Sequence, residues 1–408
     1  MIRNRGDYWQ VRVDRGRDPL TGRRRFVYGH ATTKREAERL EARLVTEVAD
    51  GRHKGTDTKT VAGLLDRWLP WHAQVNELSP GTVAGYRRHI EQKIKPALGR
   101  LSVRELERDP ELLDAFYAEL RRRGKTVRVS AGTDPDNGRK RWRTKQAPLS
   151  PSSVREVHAI LSGALQQAVR WRWIGHNPAR LATPPSVKKA KVGPPSVEQV
   201  ANLLEAALAA EPRFGLFLRM AVILGARRGE LCALRWRHVD VEHGEIVIER
   251  GIVYVPGEPL IEQDTKTHSQ RRIAADQQTM RLLRTHRAAC AAAALELGTS
   301  LPESAFVFSY AIDGARPMHP PAVTHKFTRL ARQHGITCRL HDLRHFMVTN
   351  ALDGGVALPT VAGRAGHSDG GRVTLATYAH WQRAQDRHAA ELLAALCDGT
   401  VASTAKPG

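Results

Sequence analysis

The sequence predicts a multidomain protein that is mainly α-helical with small β regions. Its 408 residues exceed the usual size of one domain. Apolar residues make up 41% of the chain, which is enough to form buried cores. Helical spacing of apolar residues dominates, and alternating strand patterns are confined to the N-terminus and to the segment after Trp236. We therefore expect a small β-sheet with one helix, then a helical bundle, then a mixed α+β domain.

The charge balance narrows the class of partner. Lys and Arg number 64 and Asp and Glu 42, which gives a net charge of +22 with neutral His. Such an excess indicates a polyanionic partner, and nucleic acid is the leading candidate. The sequence has no run of 18 apolar residues and no apolar stretch near its N-terminus, so we expect neither a membrane span nor secretion. Four widely separated cysteines without metal-ligand spacing predict reduced thiols in the cytoplasm.

Residues 1–55 form the first predicted domain, a small sheet followed by a helix. Alternation over Tyr8–Val13 and over Arg24–Tyr28 predicts two strands, and a capping box at Thr33–Glu36 begins the helix. A solvated hairpin with a charged outer face would produce the same strand pattern. We favour insertion into a DNA groove. The strand residues expected to contact DNA are Arg12, Arg24 and Arg25.

Residues 58–183 are predicted to form an all-helical second domain. Val61–Leu69 follows helical spacing, and Ser79 and Ser150 each precede a proline, as an N-cap precedes the first residue of a helix. The stretch Arg121–Lys145 contains ten basic residues, and its Gly and Pro residues predict an irregular loop. A solvated loop and a phosphate-contacting loop are both compatible with this pattern. The candidate DNA contacts are Arg139, Lys140, Arg141 and Arg143.

A Pro-rich basic linker, residues 184–195, precedes the third domain. Its proline content predicts a stiff, extended strap that suits a path across a duplex. The third domain covers residues 196–396 and is followed by a flexible tail at 397–408. We expect helices at 197–210, 213–224 and 276–296, and one small antiparallel sheet from strands at 245–249, 252–255 and 271–274. The linker residues expected to contact DNA are Lys188, Lys189 and Lys191.

Four short segments of the third domain carry candidate catalytic residues. An arginine precedes a glutamate by three positions at a helix junction, a lysine occupies a turn between strands, and a His-x-x-Arg pair shares one helix face. A Gly-His pair then precedes a tyrosine near the end of the chain. Each signal is weak alone, since chance gives about as many His-x-x-Arg pairs as the three that occur. In chain order the candidates are Arg227, Glu230, Lys266, His341, Arg344, His367 and Tyr378.

Taken together, these segments resemble the tyrosine recombinase (phage integrase) family. The matching stretches are Gly-x-Arg-Arg-Gly-Glu-Leu-x-Ala-Leu-x-Trp, Thr-Lys-Thr, His-Asp-Leu-Arg-His and Gly-His. Residues 1–55 resemble the arm-type DNA-binding domain of integrases, and 58–183 fit the family's core-binding domain. Three features depart from the family pattern. The eleven positions from His367 to Tyr378 exceed the usual spacing by one or two, Ala365 replaces a common Leu, and the 124–149 segment is long.

The resemblance implies a role for each candidate. Arg227 and Arg344 would bind the scissile phosphate, and Tyr378 would attack it. His341 would accept the tyrosine proton, and Lys266 would protonate the departing 5′ oxygen. The remaining two candidates would support this group: Glu230 would hold Arg227, and His367 would hydrogen-bond the phosphate, although a helix ion pair and a structural histidine are the respective alternatives.

The resemblance also implies the partners. They are double-stranded DNA at core and arm sites, a homotetramer that exchanges strands through a Holliday junction, and accessory DNA-bending or excision-control proteins. We expect no membrane partner, no cofactor and no metal, since the sequence lacks a nucleotide-binding Gly-rich loop and a carboxylate cluster spaced for metals. The implied function is integration or excision of a prophage or mobile element. Two alternatives remain, a topoisomerase-like enzyme and a DNA-binding protein without turnover.

Overall fold

A computed structural model describes residues 1–17, 24–49, 59–133, 140–187, 194–264 and 270–366. The chain divides into two units, Met1–Lys189 and Ala190–Gly408. Helices dominate both, as the sequence predicts. Across these ranges, no helix combines the length and the apolar character needed to cross a bilayer.

The N-terminal residues form a three-stranded antiparallel sheet and one helix. Strands β1 (Ile2–Asn4), β2 (Trp9–Arg17) and β3 (Arg24–Ala31) pair in that order, and α1 (Lys34–Ala49) packs on the sheet through buried Leu44. The predicted capping box is confirmed, because the Glu36 amide donates to Thr33 Oγ1 at 3.2 Å and the Thr33 amide donates back to Glu36 Oε2 at 3.2 Å. The sequence missed β1, which is too short to show a period of two.

The next part of the first unit is a helical bundle. Trp68, Leu106 and Leu161 lie in its core, each nearly inaccessible to solvent. Ser79 and Ser150 cap their helices as predicted, by accepting from the Thr82 and Ser153 amides. The helices are α2 (Val61–Val75), α3 (Pro80–His89), α4 (Lys95–Leu98), α5 (Val103–Arg108), α6 (Glu111–Arg123) and α7 (Pro151–Arg170), with a π-helical turn at Ile90–Ile94 and a 3-10 turn at Pro178–Arg180.

The prediction of an irregular basic loop inside an all-helical part was wrong. Strands β4 (Lys125–Thr133) and β5 (Lys140–Ala147) form a two-stranded antiparallel ribbon between α6 and α7. Val127 and Val129 alternate with polar residues, which is a strand pattern that the density of charge obscured. Two of the residues that suggested a loop, Pro135 and Gly138, come between the strands in the sequence, in the segment 134–139 outside the described residues. We call β4 and β5 the ribbon.

The second unit is mixed α+β, as predicted. Its helices are α8 (Val197–Ala210), α9 (Pro212–Leu224), α10 (Arg228–Ala233), α11 (Gln277–Glu296), α12 (Pro320–Gln333), α13 (Asp342–Asp353) and α14 (Leu358–Ala365), with a 3-10 turn at Trp236–His238. Its strands are β6 (Val239–Asp240), β7 (Glu245–Ile248), β8 (Arg250–Val253), β9 (Ile261–Asp264) and β10 (Arg271–Ala274).

The strands of this unit form two sheets, whereas the sequence predicted one. One sheet has the order β10-β7-β6, and β8 pairs with β9 separately. The predicted strand at 252–255 begins two residues earlier, at Arg250. The sequence missed β9 because Ile261-Glu262-Gln263-Asp264 contains a single apolar residue. Partner choice among strands this short depends on tertiary packing rather than on local pattern.

Close packing in this unit places the helix that carries the first candidate arginine. The core is built around Phe217 and Phe308, whose rings meet edge to face at 4.9 Å between centroids. A Cβ added at Gly229 would lie 2.7 Å from the Ile252 carbonyl oxygen. Helix α10 therefore lies directly against β8, and a larger side chain would force the two apart.

The three largest hydrophobic clusters span residues 11–44, 61–182 and 200–343. Each lies inside one predicted domain, whose boundaries stay a prediction. We expect Leu161→Ala and Leu283→Ala each to lower the free energy of unfolding of its own unit by about 2–5 kcal/mol, since both side chains are buried. Unfolding in urea, monitored by hydrogen exchange of residues in each unit, shows which unit has lost stability.

Leu295→Ala is the matched control, because Leu295 is 75% exposed and the same substitution should change stability by no more than about 0.5 kcal/mol. If both core variants shift one shared transition equally, the units do not unfold independently.

Candidate active site

Arg227 is held at the start of α10 by a glutamate of the same helix. The Arg227 amide donates to Glu230 Oε2 at 2.7 Å, and its Nη1 donates to Glu230 Oε1 at 2.8 Å. The Arg227 side chain is 30% exposed, whereas Glu230 is 4% exposed. The carboxylate therefore fixes the guanidinium from the protein side and leaves part of it open to solvent.

A second arginine that the sequence analysis did not select binds the same carboxylate. Arg271 donates from Nη2 to Glu230 Oε2 at 2.6 Å and from Nη1 to Oε1 at 3.3 Å. Its Nε donates to the Arg364 carbonyl at 3.1 Å, and its side chain is 8% exposed. Burial raises the pKa of Glu230, but the hydrogen bond and charge of Arg271, followed by those of Arg227, outweigh this effect. The net pKa lies below the usual value, so the carboxyl is ionised at neutral pH.

Arg344 lies in the first turn of α13 and reaches the same region. Its Nη1 donates to the Gly225 carbonyl at 2.6 Å, across 119 positions of sequence. The residue is 4% exposed, and its Nη2 is buried without an acceptor among the described residues. Burial and the neighbouring Arg227 charge lower the pKa of Arg344 to about 10, which leaves it protonated at neutral pH. A buried cation with an unused donor is costly, so this site favours an anion.

Two backbone features place Arg344. Gly225 ends α9 in the left-handed region, with φ of 58°, and a Cβ there would collide with the Met347 side chain. Asp342 is buried at the start of α13 and accepts from the Arg339 amide at 2.7 Å and from its Nη2 at 2.8 Å. These contacts fix both the acceptor and the helix that carries the guanidinium.

His341 immediately precedes α13. Part of its ring reaches solvent, and the His345 ring lies edge to face with it at 4.9 Å between centroids. Desolvation by the surrounding protein, followed by His345 and Arg344, lowers the pKa of His341 to about 4. The imidazole is therefore neutral at pH 7 and able to accept a proton.

The end of α14 contacts both glutamate-bound arginines. The Gly366 carbonyl accepts from Arg227 Nη2 at 3.2 Å. Gly366 has φ of 62°, and a Cβ there would lie 2.9 Å from Arg271 Nη1. Only glycine fits this position without displacing Arg271. The candidate His367 is the next residue in the chain and lies outside the described residues.

The described structure thus brings together four of the predicted site residues, Arg227, Glu230, His341 and Arg344, and adds Arg271. Arg271 had one sequence signal, its position shortly after the predicted lysine turn. Within the described ranges no cluster of His, Cys, Asp or Glu suits a metal ion. The candidates outside those ranges are Lys266, His367 and Tyr378.

The predicted DNA contacts are scattered along the first unit. Arg12 stacks on Phe26 at 3.6 Å, and Arg24 pairs with Asp14 at 3.8 Å. Arg141 and Arg143 are exposed on β5. The backbones of Arg25 and Lys140 lie in β3 and β5. Residues outside the described ranges are Arg139, Lys188, Lys189 and Lys191.

Comparison with known proteins identifies the second unit. Residues 196–385 match the model of the phage integrase family. The ICEBs1 integrase of Bacillus subtilis (strain 168) is 24% identical over 377 residues, which cover 91% of this chain and 93% of that protein. An integrase of Streptomyces ambofaciens is 26% identical over 400 residues, which cover 96% of this chain and 93% of that protein.

Solved structures show the same fold. The Tn1549 transposon integrase in complex with transposon right end DNA matches with a TM-score of 0.62 at 17% identity, over 82% of this chain and 99% of that chain. A lambda integrase tetramer bound to a Holliday junction matches with a TM-score of 0.54 at 17% identity, over 90% and 91%. The resemblance found in the sequence is confirmed: residues 196–385 carry a phage integrase family domain, and the chain is a tyrosine-type site-specific recombinase that is similar over most of its length to the integrases named above.

Proposed function

We propose that the protein exchanges DNA strands through a covalent 3′-phosphotyrosyl intermediate. The observation that carries this proposal is a pair of neighbouring guanidiniums, the partly exposed one of Arg227 and the buried one of Arg344. One nitrogen of Arg344 has no acceptor in the described part of the chain. A phosphodiester supplies anionic oxygens that two arginines bind with matched geometry, and its negative charge grows in the transition state. The scissile phosphate is therefore the anion that we assign to this site.

The proposed cleavage step is a transesterification. The Tyr378 phenol oxygen attacks the phosphorus, a tyrosyl–phosphorus bond forms, and the bond from phosphorus to the 5′ oxygen breaks. His341 takes the phenol proton, and Lys266 gives a proton to the departing 5′ oxygen. Because one phosphate ester replaces another, the bond energy is kept, and a 5′ hydroxyl from a partner duplex can reverse the step. The reaction needs no nucleotide cofactor as an energy source.

The proton inventory of the described residues supports these roles. His341, with its pKa lowered to about 4, is neutral at physiological pH, which is the form in which a general base starts. A phenol has a pKa of about 10, and nearby guanidinium charges lower such a pKa. Arg344 keeps its proton, because its pKa of about 10 lies well above neutrality. The positive charge of the phosphate site therefore persists over the working range of pH.

We assign Arg271 a positioning role and Glu230 the same role toward Arg227. Arg271 shares the Glu230 carboxylate with Arg227 and also binds the carbonyl of Arg364, two residues before Gly366. It thereby ties the phosphate-binding arginine to the end of α14, which leads to His367. We propose that His367 donates a hydrogen bond to the phosphate.

The proposed partners are double-stranded DNA sites of two kinds. The catalytic and bundle domains would bind core sites, with Lys188, Lys189 and Lys191 crossing the duplex, and residues 1–55 would bind arm sites. The Tn1549 integrase forms a complex with transposon right end DNA, and lambda integrase is a tetramer on a Holliday junction. We propose the same homotetramer here, acting in the bacterial cytoplasm with accessory DNA-bending or excision-control proteins.

We expect Tyr378→Phe to bind DNA normally and to form no covalent adduct, because it loses only the nucleophilic oxygen. The measurement uses a suicide duplex that carries the attachment site flanking the encoding gene, followed by denaturing electrophoresis. Tyr310→Phe, which removes the hydroxyl of an exposed tyrosine, is the matched control and should form adduct like the wild type. Equal adduct from Tyr378→Phe would mean that another residue is the nucleophile.

We expect Arg344→Lys to reduce the rate of cleavage by about 10²–10³-fold with folding retained, because an ammonium cannot bind two phosphate oxygens and the Gly225 carbonyl in one plane. Single-turnover cleavage at saturating protein measures the change. Arg281→Lys on the exposed face of α11 is the control. A loss below about threefold would remove Arg344 from the phosphate site.

We expect Arg271→Met to slow cleavage by about 10–100-fold, because Glu230 loses one of its two cationic partners, and Arg271→Lys to recover part of the rate. A duplex with sulfur at the bridging 5′ position distinguishes a defect in phosphate binding from a defect in protonation of the leaving group. The reason is that a thiolate leaves without protonation. The Arg271→Met defect should persist on this substrate, whereas Lys266→Ala should be rescued. Rescue of Arg271→Met would place its action on the lysine segment instead of on Arg227.

A further inference from the structure

We propose that the ribbon is a DNA-binding element in its own right, which enters the major groove of the duplex beside the cleavage site. This inference deepens the proposed function and rests on it for the identity of the substrate as duplex DNA. The ribbon belongs to neither the phosphate site nor the core of the bundle. Its charge, its exposure, its attachment and its dimensions each support the assignment.

The charge of the ribbon is entirely positive. Its two strands contain Lys and Arg but no Asp or Glu. Within the described ranges no carboxylate lies within ion-pair distance of four of these side chains, Lys125, Arg128, Arg143 and Lys145. Neighbouring arginines of α6 behave differently, because Arg122 and Arg123 pair with Glu119 at 2.6 and 3.0 Å. These four cations therefore lack the carboxylate partners that the arginines of the adjacent helix have.

Both faces of the ribbon carry cations. The register pairs Val127 with Lys145 and Val129 with Arg143 on one face, and Arg128 with Thr144 and Ser130 with Trp142 on the other. Among the ribbon side chains that the structure describes, none is buried. Because the ribbon covers no hydrophobic core, packing does not explain the choice of its side chains. A two-stranded ribbon of this kind is at best marginally stable alone. A partner that meets both faces accounts for this distribution.

The base of the ribbon is fixed, although its strands are exposed. Leu120 and Leu149, which flank it in the chain, are buried in the bundle core, and the Leu149 amide donates to the Leu120 carbonyl at 3.0 Å. Arg121 adds a hydrogen bond from Nη1 to the Leu149 carbonyl. The bundle therefore sets the direction of the ribbon, which reduces the entropy lost when it binds a partner.

The dimensions and the exposed aromatic ring fit a DNA groove. Six consecutive cross-strand pairs extend about 17 Å at roughly 3.4 Å per residue. The major groove of B-form DNA is about 12 Å wide and admits a two-stranded ribbon. Trp142 is 52% exposed, and the Arg128 guanidinium lies 5.5 Å from its ring centroid. In the groove, cations on both faces would reach the phosphates of both strands, and the indole would contact apolar base edges.

The test uses the full-length protein and two variants with the same change in net charge. The ribbon variant replaces Lys125, Arg128, Arg143 and Lys145 with Gln. The control variant replaces four exposed arginines that already pair with carboxylates, namely Arg122, Arg123, Arg237 and Arg287. Fluorescence anisotropy measures affinity for a short mixed-sequence DNA duplex over a range of salt concentrations, and for the RNA duplex of the same sequence.

We expect the ribbon variant to bind the DNA duplex at least about tenfold more weakly at roughly 0.1 M salt, with the slope of log affinity against log salt reduced by about 3–4. The control slope should change by about 1 or less. The narrow major groove of A-form RNA excludes a ribbon, so the RNA affinity should fall much less. Trp142→Ala should weaken DNA binding without changing the salt slope, because it removes an apolar contact.

Three results would overturn the inference. Unchanged affinity and slope would remove the ribbon from the DNA interface. Equal losses on DNA and RNA would refute the groove assignment. The same measurement is made on a longer duplex that holds two copies of the protein. A loss of affinity confined to that duplex would indicate that the ribbon contacts a second copy of the chain instead. Failure of the wild type to form adduct on the suicide duplex would refute the proposed function and leave the ribbon measurement intact.

Discussion

The catalytic unit depends on one buried carboxylate. Glu230 accepts hydrogen bonds from both Arg227 and Arg271, and it is nearly inaccessible to solvent. Breaking a buried ion pair of this kind is far more costly than losing a surface pair, because the remaining charge stays desolvated. The orientation of Arg227, the start of β10 and the end of α14 are therefore set together.

Glycines permit this gathering of charge. Gly229 lets α10 approach β8, Gly225 offers its carbonyl to Arg344 from a left-handed turn, and Gly366 leaves space for Arg271. The arginines come from segments far apart in sequence, and each glycine removes a side chain where two of those segments meet. Backbone geometry, rather than the arginines alone, thus determines where the positive charge lies.

Local rules recovered much of this structure from sequence. The caps at Thr33, Ser79 and Ser150 follow from side chains that satisfy the first amides of a helix, and the spacing of Arg227 and Glu230 follows from one helical turn. Arg271 was missed because it acts across the fold, on a carboxylate 41 positions away in the sequence. The ribbon was missed because charge density and strand alternation gave opposite indications. The domain boundaries, the roles of the catalytic residues and their DNA contacts remain proposals.

The excess of positive charge around Glu230 has a consequence for the unliganded protein. Three guanidiniums, those of Arg227, Arg271 and Arg344, surround the single negative charge of Glu230, and their mutual repulsion contributes to the lowered pKa of Arg344. The unliganded unit therefore carries an excess of positive charge. Under the proposed function, an oxygen of the DNA backbone neutralises that charge. DNA would then complete the charge balance of the catalytic unit, and its binding would raise the thermal stability of the folded unit.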